Sequence, residues 1–473
     1  MFDTLLAQAD NFTPARTQMA LSLGWHIVIA CFGIAFPVVI FIAHWRGIRR
    51  RDPVALGLAR RWAKVAAVLF AVGAVSGTVL SFEMAMLWPG MMEPYGDVIG
   101  LPFTLEGVAF FAEAIFLGIY LYGWDRLPAR LHALMLLPIG LAGIVGTWCI
   151  ITVNAWMQSP TGFELGPDGE VTNVDPWAPF VSEAAITQSV HMFLAAFLVV
   201  GFGTASVYAV GWLRGRHDRH HRLGFLIPFT VAAIVAPLQA MSGHTSAVFV
   251  GEDQPAKLAA MELLTETEDG APLSLGGVLI DGERRYSVEI PNGLSILLHG
   301  DPDATVTGLD AVPEDEQPPA NLVHWSFDIM VGIGTGFIAL GAWALVRRLR
   351  GRPVLDQPWL VRATVLAGPA AAVALEAGWI VTEVGRQPWI VQGILRSEDA
   401  VTTADGVWAS LIVLTVVYGV LTVGTAGVLR TMARRWREGA SGHDIPVPYD
   451  PSTASALDRA GDVSTDEPAE VGR

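Results

Sequence analysis

Two carboxylates and an arginine lie at the end of an apolar segment long enough to cross a bilayer. Glu376 and Glu383 are seven residues apart, and Trp379 and Arg386 each follow one of them by three, so helical spacing places all four on one face. Charged groups inside a membrane helix are costly and usually face a cavity, a cofactor or a partner charge. The simpler interpretation is a salt-bridged helix end with Trp389 at the interface. The alternative is a buried redox or proton-handling site.

Another apolar segment carries two more carboxylates. Glu106 and Glu113 are seven residues apart, which places them on one helix face about 10 Å apart along the axis. Buried carboxylates can take up and release protons near neutrality, although structural pairing with an arginine is the alternative. Four intramembrane carboxylates favour proton handling over a packing accident. Asn154 and Gln158, at the end of the fourth segment, are expected to hydrogen-bond to this polar centre.

Three potential heme ligands lie at similar depth in different apolar segments. His26 lies about ten residues into the first segment, His191 lies early in the fifth, and Met330 lies early in the seventh. Each residue alone is ordinary, because an intramembrane histidine commonly hydrogen-bonds for packing and methionine fills apolar gaps. A histidine and a methionine from two helices could together form the axial pair of a low-spin heme.

The composition indicates a polytopic membrane protein. The 473 residues are 52% hydrophobic and 16% charged, and the net charge of -15 is concentrated in particular loops and the tail, so nucleic acid binding is not expected. Cys31 and Cys149 fall in apolar segments without a CxxCH motif, so any heme would be held non-covalently. The N-terminus lacks the features of a signal peptide, and the first membrane helix is expected to direct insertion.

The predicted fold is an all-α integral membrane protein with a nine-helix transmembrane bundle. Arginines cluster in the loops after the first, third, fifth, seventh and ninth spans, whereas the alternate loops are acidic or neutral. The positive-inside rule therefore predicts an N-terminus outside and a cytoplasmic C-terminus. The predicted spans are about 17–43, 62–88, 101–124, 129–153, 184–213, 222–250, 323–346, 358–384 and 406–431, and the outer connections are 89–100, 158–183, 251–322 and 386–405.

The chain divides into helices and two polar regions. The predicted division is transmembrane helices 1–6 in 1–250, an extracytoplasmic loop in 251–322, helices 7–9 in 323–438, and a disordered cytoplasmic tail in 439–473. A loop as long as 251–322 is usually functional or disordered. The potential ligands lie in the outer half of the bundle, so electrons could enter from the outer surface while Glu113, deeper in its helix, relays protons from the opposite face.

Several short motifs together point to a family. They are Arg16-Thr-Gln-Met-Ala-Leu before His26, Gly96-Asp97, Leu105-Glu106-Gly107, Asn154-Ala-Trp-Met-Gln158, Lys257-Leu-Ala-Ala-Met-Glu262, and Gly385-Arg-Gln-Pro-Trp389. The chain resembles subunit I of the cytochrome bd quinol oxidases across almost the whole membrane part. The two last motifs are highly specific in combination.

The resemblance implies a terminal oxidase of the bacterial cytoplasmic (plasma) membrane. It implies two hemes b, one low-spin and one high-spin, and one heme d, with O2 reduced to water by electrons from quinol, either menaquinol or ubiquinol. Quinol oxidation outside and proton uptake from the cytoplasm would generate a proton motive force without pumping. The implied partners are a second membrane subunit (subunit II), small single-helix subunits and membrane lipid.

The resemblance also implies roles for the potential heme ligands. His191 and Met330 are similar to the axial ligands of the low-spin heme b. His26 and Glu383 are similar to ligands of the two hemes of the oxygen-reducing centre, and which of them serves heme d stays open. Arg386 would contact heme propionates.

Proton and quinol chemistry are assigned by the same resemblance. Glu106 is similar to the carboxylate beside the oxygen-reducing centre, and Glu113 to the acid of the proton path. Lys257 and Glu262 match the quinol-oxidising loop, here of the short type. Trp379 would pack against a heme.

One departure and two alternatives accompany this prediction. Some relatives carry an arginine where this chain has Asp328, two residues before Met330, and a negative charge there should favour an oxidised heme. A diheme cytochrome b that transfers electrons from quinol would need two histidine pairs on two helices, which no span contains. A proton-coupled transporter would be expected to show inverted repeats and broken helices.

Overall fold

The structure, a computed structural model, describes residues 2–438, with the side chains of residues 11–437. The tail predicted to be disordered, 439–473, lies outside the described residues. Within the described part, nine helical segments are long and apolar enough to cross a membrane, which confirms the predicted all-α fold of nine spans. The α-helices are α1 (Phe2–Arg50), α2 (Pro53–Leu87), α3 (Pro89–Tyr122), α4 (Ala129–Leu134), α5 (Leu136–Gln158), α6 (Glu183–Leu213), α7 (Arg219–Asp253), α8 (Pro255–Glu262), α9 (Gly293–His299), α10 (Ala320–Leu349), α11 (Pro358–Val384), α12 (Ser397–Ala400) and α13 (Val407–Glu438).

Short strands occur only in the connections of the described chain. They pair as two-stranded antiparallel ribbons, three of which belong to the loop between α8 and α10. The pairs are β1 (Glu164–Leu165) with β2 (Val171–Thr172), β3 (Glu268–Asp269) with β8 (Thr305–Val306), β4 (Leu273–Leu275) with β7 (Val288–Ile290), β5 (Val278–Ile280) with β6 (Glu283–Arg285), and β9 (Trp389–Val391) with β10 (Leu395–Arg396). Four 3-10 helices cover Ala178–Val181, Leu309–Ala311, Glu314–Glu316 and Val354–Asp356.

Several helices extend beyond the predicted spans, and the third and fourth spans also differ in their architecture. The segment 89–100, expected to be a loop, is the first part of α3, which runs without a break from Pro89 to Tyr122. Proline fits the first turn of a helix because its missing N–H has no intrahelical partner there, and α3 begins at one. The fourth span consists of α4 and α5, which are separated at Met135.

Local sequence signals explain several helix ends. The side chains of Asp52, Ser182 and Asp218 accept hydrogen bonds from the backbone N–H three residues later and cap α2, α6 and α7. Helix α11 ends at Val384 and is followed by Gly385, as the Gly-Arg-Gln-Pro-Trp sequence predicts. The end of α11 at Val384 places Arg386 just beyond the helix.

Small residues let α6, α7, α10 and α11 pack closely together. A Cβ added to Gly201 of α6 would lie 2.7 Å from the Ala232 Cβ of α7, and one added to Gly341 of α10 would lie 3.2 Å from the Ala233 Cβ. Close approach of backbones at small residues is a common mode of helix association in membranes. This packing positions His191 and Met330.

The long loop is folded onto the helix ends by an apolar cluster of its own. Leu258 and Leu264 are buried in this cluster together with Val323 of α10 and Val381 of α11. Burial of this apolar surface stabilises the loop against α10 and α11. The short helix α8, which carries Lys257 and Glu262, is therefore held at a fixed place against α10.

Candidate heme and quinol site

Most of the predicted site residues face one cavity of about 890 Å³ within the helix bundle. Its walls come from α1, α2, α3, α5 and α11, and the lining is largely apolar. A cavity of this size with few polar groups has the general character of a cofactor site. The predicted residues that line it are His26, Glu106, Glu113, Glu376, Trp379, Glu383 and Arg386.

The ring of His26 is oriented by a serine on α2. Its Nδ1 lies 2.8 Å from the Ser76 Oγ, and the Ser76 hydroxyl itself lies within hydrogen-bond distance of the Val72 and Gly73 carbonyls. The hydroxyl donates to a carbonyl, so His26 donates from Nδ1 and keeps the Nε2 lone pair. Metal-ligating histidines use this arrangement, in which one nitrogen is fixed by a hydrogen bond and the other binds the metal.

Glu383 is held by an arginine of the following turn. Arg386 donates to the Glu383 Oε2 from Nη2 at 2.6 Å and from Nε at 3.1 Å. Its Nη1 donates to the Trp389 and Ile390 carbonyls, so the guanidinium also fastens the chain that follows α11. Both N–H groups converge on one carboxylate oxygen, and charge-assisted hydrogen bonds of this kind are stronger than those between neutral groups.

A line of polar side chains connects Glu383 to the long loop. The Asn154 Nδ2 donates to the Glu383 Oε1, and the Gln158 Nε2 donates to the Asn154 Oδ1 at 2.7 Å. The Lys257 Nζ of α8 donates to the Gln158 Oε1. The expectation that Asn154 and Gln158 bond to the polar centre matches these contacts, and the link to Lys257 had no signal in the sequence.

Lys257 and Glu262 lie at opposite ends of the short helix α8, and both are buried. Burial, together with the positive charge of Arg386, lowers the pKa of Lys257 to about 7. Burial raises the pKa of Glu262 to about 7, and the Ser274 N–H, which donates to its Oε2 at 3.3 Å, opposes the increase. Two groups that titrate near neutrality can exchange protons with a bound substrate.

His191 and Met330 lie outside the cavity, in the group formed by α6, α7, α10 and α11. The Gln239 side chain of α7 lies with its Nε2 2.9 Å from the His191 Nε2, and the buried Nδ1 has no partner among the residues that the structure describes. A Cβ added to Gly378 of α11 would lie 2.9 Å from the Met330 Sδ. Glycine at position 378 of α11 therefore leaves the space that the Met330 thioether occupies.

Glycines also leave space around the acids and the histidine of the cavity. Added Cβ atoms would lie 3.1 Å from the Glu376 Oε2 at Gly24, 3.2 Å from the Glu113 Oε1 at Gly33, and 3.1 Å from the His26 Cε1 at Gly77. The cavity and the Nε2 lone pair of His26 fit the non-covalent binding of heme by the residues that line the cavity.

Sequence reasoning missed four residues around these positions. Ser76 and Gln239 contact the two histidines, and His324 bonds to the long loop. Glu83 of α2 is buried and accepts a hydrogen bond from the Gln18 Nε2 at 2.9 Å. An acid within the second predicted span was a signal for Glu83, whereas no spacing rule indicated the other three.

Comparisons with known proteins match the chain to one family over most of its length. The family model of the cytochrome bd terminal oxidase subunit I matches residues 14–437. The structure of the bd oxidase from Geobacillus thermodenitrificans superimposes with a TM-score of 0.86 at 39% identity, covering 90% of this chain and 99% of that one.

Curated relatives match over nearly their full length. A Bacillus subtilis (strain 168) protein with the provisional name cytochrome bd menaquinol oxidase subunit I is 35% identical, over 89% of this chain and 96% of the relative. Cytochrome bd ubiquinol oxidase subunit 1 of the same strain is 29% identical, over 92% and 96%. Cytochrome bd-II ubiquinol oxidase subunit 1 of Escherichia coli (strain K12) is 26% identical, over 90% and 96%.

Proposed function

The chain belongs to the cytochrome bd terminal oxidase subunit I family, and from this premise we propose that it carries the hemes and oxidises quinol through the long loop. It is a subunit of a quinol oxidase and a multi-pass protein of the bacterial plasma membrane. Membership implies hemes, a quinol substrate and a partner subunit II. The diheme cytochrome b and the transporter considered from the sequence are therefore not retained.

Three hemes are assigned to two places. His191 and Met330 would hold one low-spin heme b, and His26 and Glu383 would hold a high-spin heme b and a heme d in the cavity. When bound, the hemes supply electron transfer and the reduction of O2. Trp379 lines the same cavity and would pack against a heme.

The proposed role of Arg386 differs from the one carried over from the family. Its Nε and Nη2 contact Glu383 and its Nη1 contacts two backbone carbonyls, so it orients the ligand carboxylate and the chain after α11. The one N–H that these bonds leave, on Nη2, is all that a propionate could use.

Quinol oxidation is assigned to Lys257 and Glu262. Glu262, whose pKa is raised to about 7, accepts a proton from the quinol hydroxyl, and Lys257 donates a hydrogen bond to a quinol oxygen. The polar line through Gln158 and Asn154 joins this place to Glu383. The choice between menaquinol and ubiquinol stays open.

Protons for O2 reduction are assigned to a separate route through α3. Glu113 takes up protons from the cytoplasm and passes them toward Glu106, both of which line the cavity. With the N-terminus outside, release of quinol protons outside and uptake from the cytoplasm generate a proton motive force without pumping. The same orientation places 251–322 outside, 1–250 and 323–438 in the membrane part, and 439–473 in the cytoplasm.

The observation that carries the proposal is the single cavity shared by His26, Glu383, Glu106 and Glu113. The test is a reduced-minus-oxidised optical spectrum of the purified complex with subunit II. We expect b-type bands and a red-shifted d band. A preparation that binds no heme would refute the proposal, and b-type bands alone would refute the assignment of heme d. Small single-helix subunits, if present, would co-purify in the same preparation.

A further inference from the structure

His324 of α10 is fully buried, and both of its ring nitrogens contact carbonyl oxygens of the long loop. Its Nδ1 lies 2.6 Å from the Met261 carbonyl and its Nε2 lies 2.9 Å from the Gly276 carbonyl. One buried ring of α10 thus contacts two carbonyls that lie far apart in the sequence of the loop.

A carboxylate one helical turn away contacts both His324 and the same turn of the loop. The Asp328 Oδ2 lies 3.5 Å from the His324 Nε2 and accepts the Gly276 N–H at 2.6 Å. The turn at Gly276, where φ is +63°, is thus held at its carbonyl by one side chain of α10 and at its N–H by another. The positive φ disfavours other residues at this position.

In the sequence, Glu262 belongs to the segment between the two carbonyls that His324 contacts. Met261 directly precedes Glu262, and the backbone N–H of Ser274, two residues before Gly276, donates to the Glu262 carboxylate. The other charged groups that act on Glu262 from neighbouring elements are Asp328 of α10 and the guanidinium of Arg284. Arg284 of β6 donates to the Leu263 carbonyl and to the Ser274 hydroxyl.

We propose that His324 is a positioning residue for quinol oxidation, which fastens the segment from Met261 to Gly276 to α10 and holds the Glu262 carboxylate in place. Its role in quinol oxidation rests on the proposed function, whereas its contacts with the two carbonyls are independent of that function. Loss of the His324 ring removes both contacts, so the segment should loosen from α10.

The first test is hydrogen exchange of loop peptides covering 258–280 in the purified oxidase complex. In His324→Asn, exchange of these peptides should be roughly tenfold faster than in the native protein, because two buried carbonyls lose the ring that they contact. His299→Asn, an exposed histidine of the same loop, is the control.

The second test is steady-state kinetics with quinol and with an artificial donor that bypasses the loop. His324→Asn should raise KM for quinol several-fold more than it changes the rate with the artificial donor. Exchange in His324→Asn that is as slow as in the native protein would refute the fastening of the loop by His324. Faster exchange with an unchanged KM would refute the positioning role. A preparation without quinol oxidase activity would instead refute the proposed function, because exchange still reports the contacts of His324.

Discussion

The Lys257 ammonium of the long loop donates a hydrogen bond to the Gln158 side chain at the end of α5. Both residues are buried, and Gln158 in turn bonds to Asn154, which bonds to Glu383. A buried amine that has no hydrogen-bond partner is costly, and Gln158 provides one. The contact therefore ties the proposed quinol position to the carboxylate assigned as a heme ligand.

Replacement of Gln158 by leucine should destabilise the protein by about 1–3 kcal/mol, because Lys257 and Asn154 each lose a buried partner. The measurement is thermal unfolding of the purified complex. In the double variant with Lys257→Met, the loss should be smaller than the sum of the two single losses, because the orphaned charge is gone. Strictly additive losses would show that the two side chains do not interact.

Replacement of Glu262 by glutamine should remove a pH-dependent step of quinol oxidation. The pKa of Glu262 is raised to about 7, so below this pH the carboxyl is protonated and cannot accept a proton from quinol. In the native enzyme kcat/KM for quinol should therefore rise as pH increases through about 7, and Glu262→Gln should be slow and lack this rise.

The control for this prediction is Glu266→Gln, an exposed acid of the same loop.

Lys257→Ala should likewise impair the oxidation of quinol more than the oxidation of an artificial electron donor. Equal losses with both donors in the Lys257 and Glu262 variants would mean that the loop has only a structural role.

Replacement of Met330 by leucine should deplete the low-spin heme signal while the oxygen-binding heme largely remains. Leucine is close in volume but has no sulfur to bind iron. The measurement is the reduced-minus-oxidised spectrum, and Met91→Leu, at a buried methionine in a different cluster, is the control. Unchanged low-spin bands in Met330→Leu would contradict the assignment.

Replacement of Ser76 by alanine should lower heme occupancy at His26 by about tenfold or more at limiting heme, because the hydrogen bond that orients the ring is lost. Heme content per protein is measured by absorbance after titration with heme. Thr230→Ala removes a hydroxyl that bonds to the carbonyl of its own helix and should leave occupancy unchanged. Equal occupancy in both variants would argue against His26 as a ligand.

The number of spans and the shared face of the acids follow from local sequence. Apolar length determines which segments cross the bilayer, and the seven-residue spacing of Glu106 with Glu113 and of Glu376 with Glu383 follows from helix geometry. The beginning of α3 was harder to predict, because the polar residues of 89–100 resemble a loop although the segment continues the helix.

Only the tertiary structure decided how the two functional regions are connected. Lys257, Gln158, Asn154 and Glu383 come from three helices far apart in the chain, and their contacts depend on how α5, α8 and α11 pack. The residues that contact His26 and His324 likewise depend on how the helices and the long loop pack. A side chain's helix face is encoded locally, but its hydrogen-bond partner depends on which helix packs against that face, and packing is a property of the whole chain.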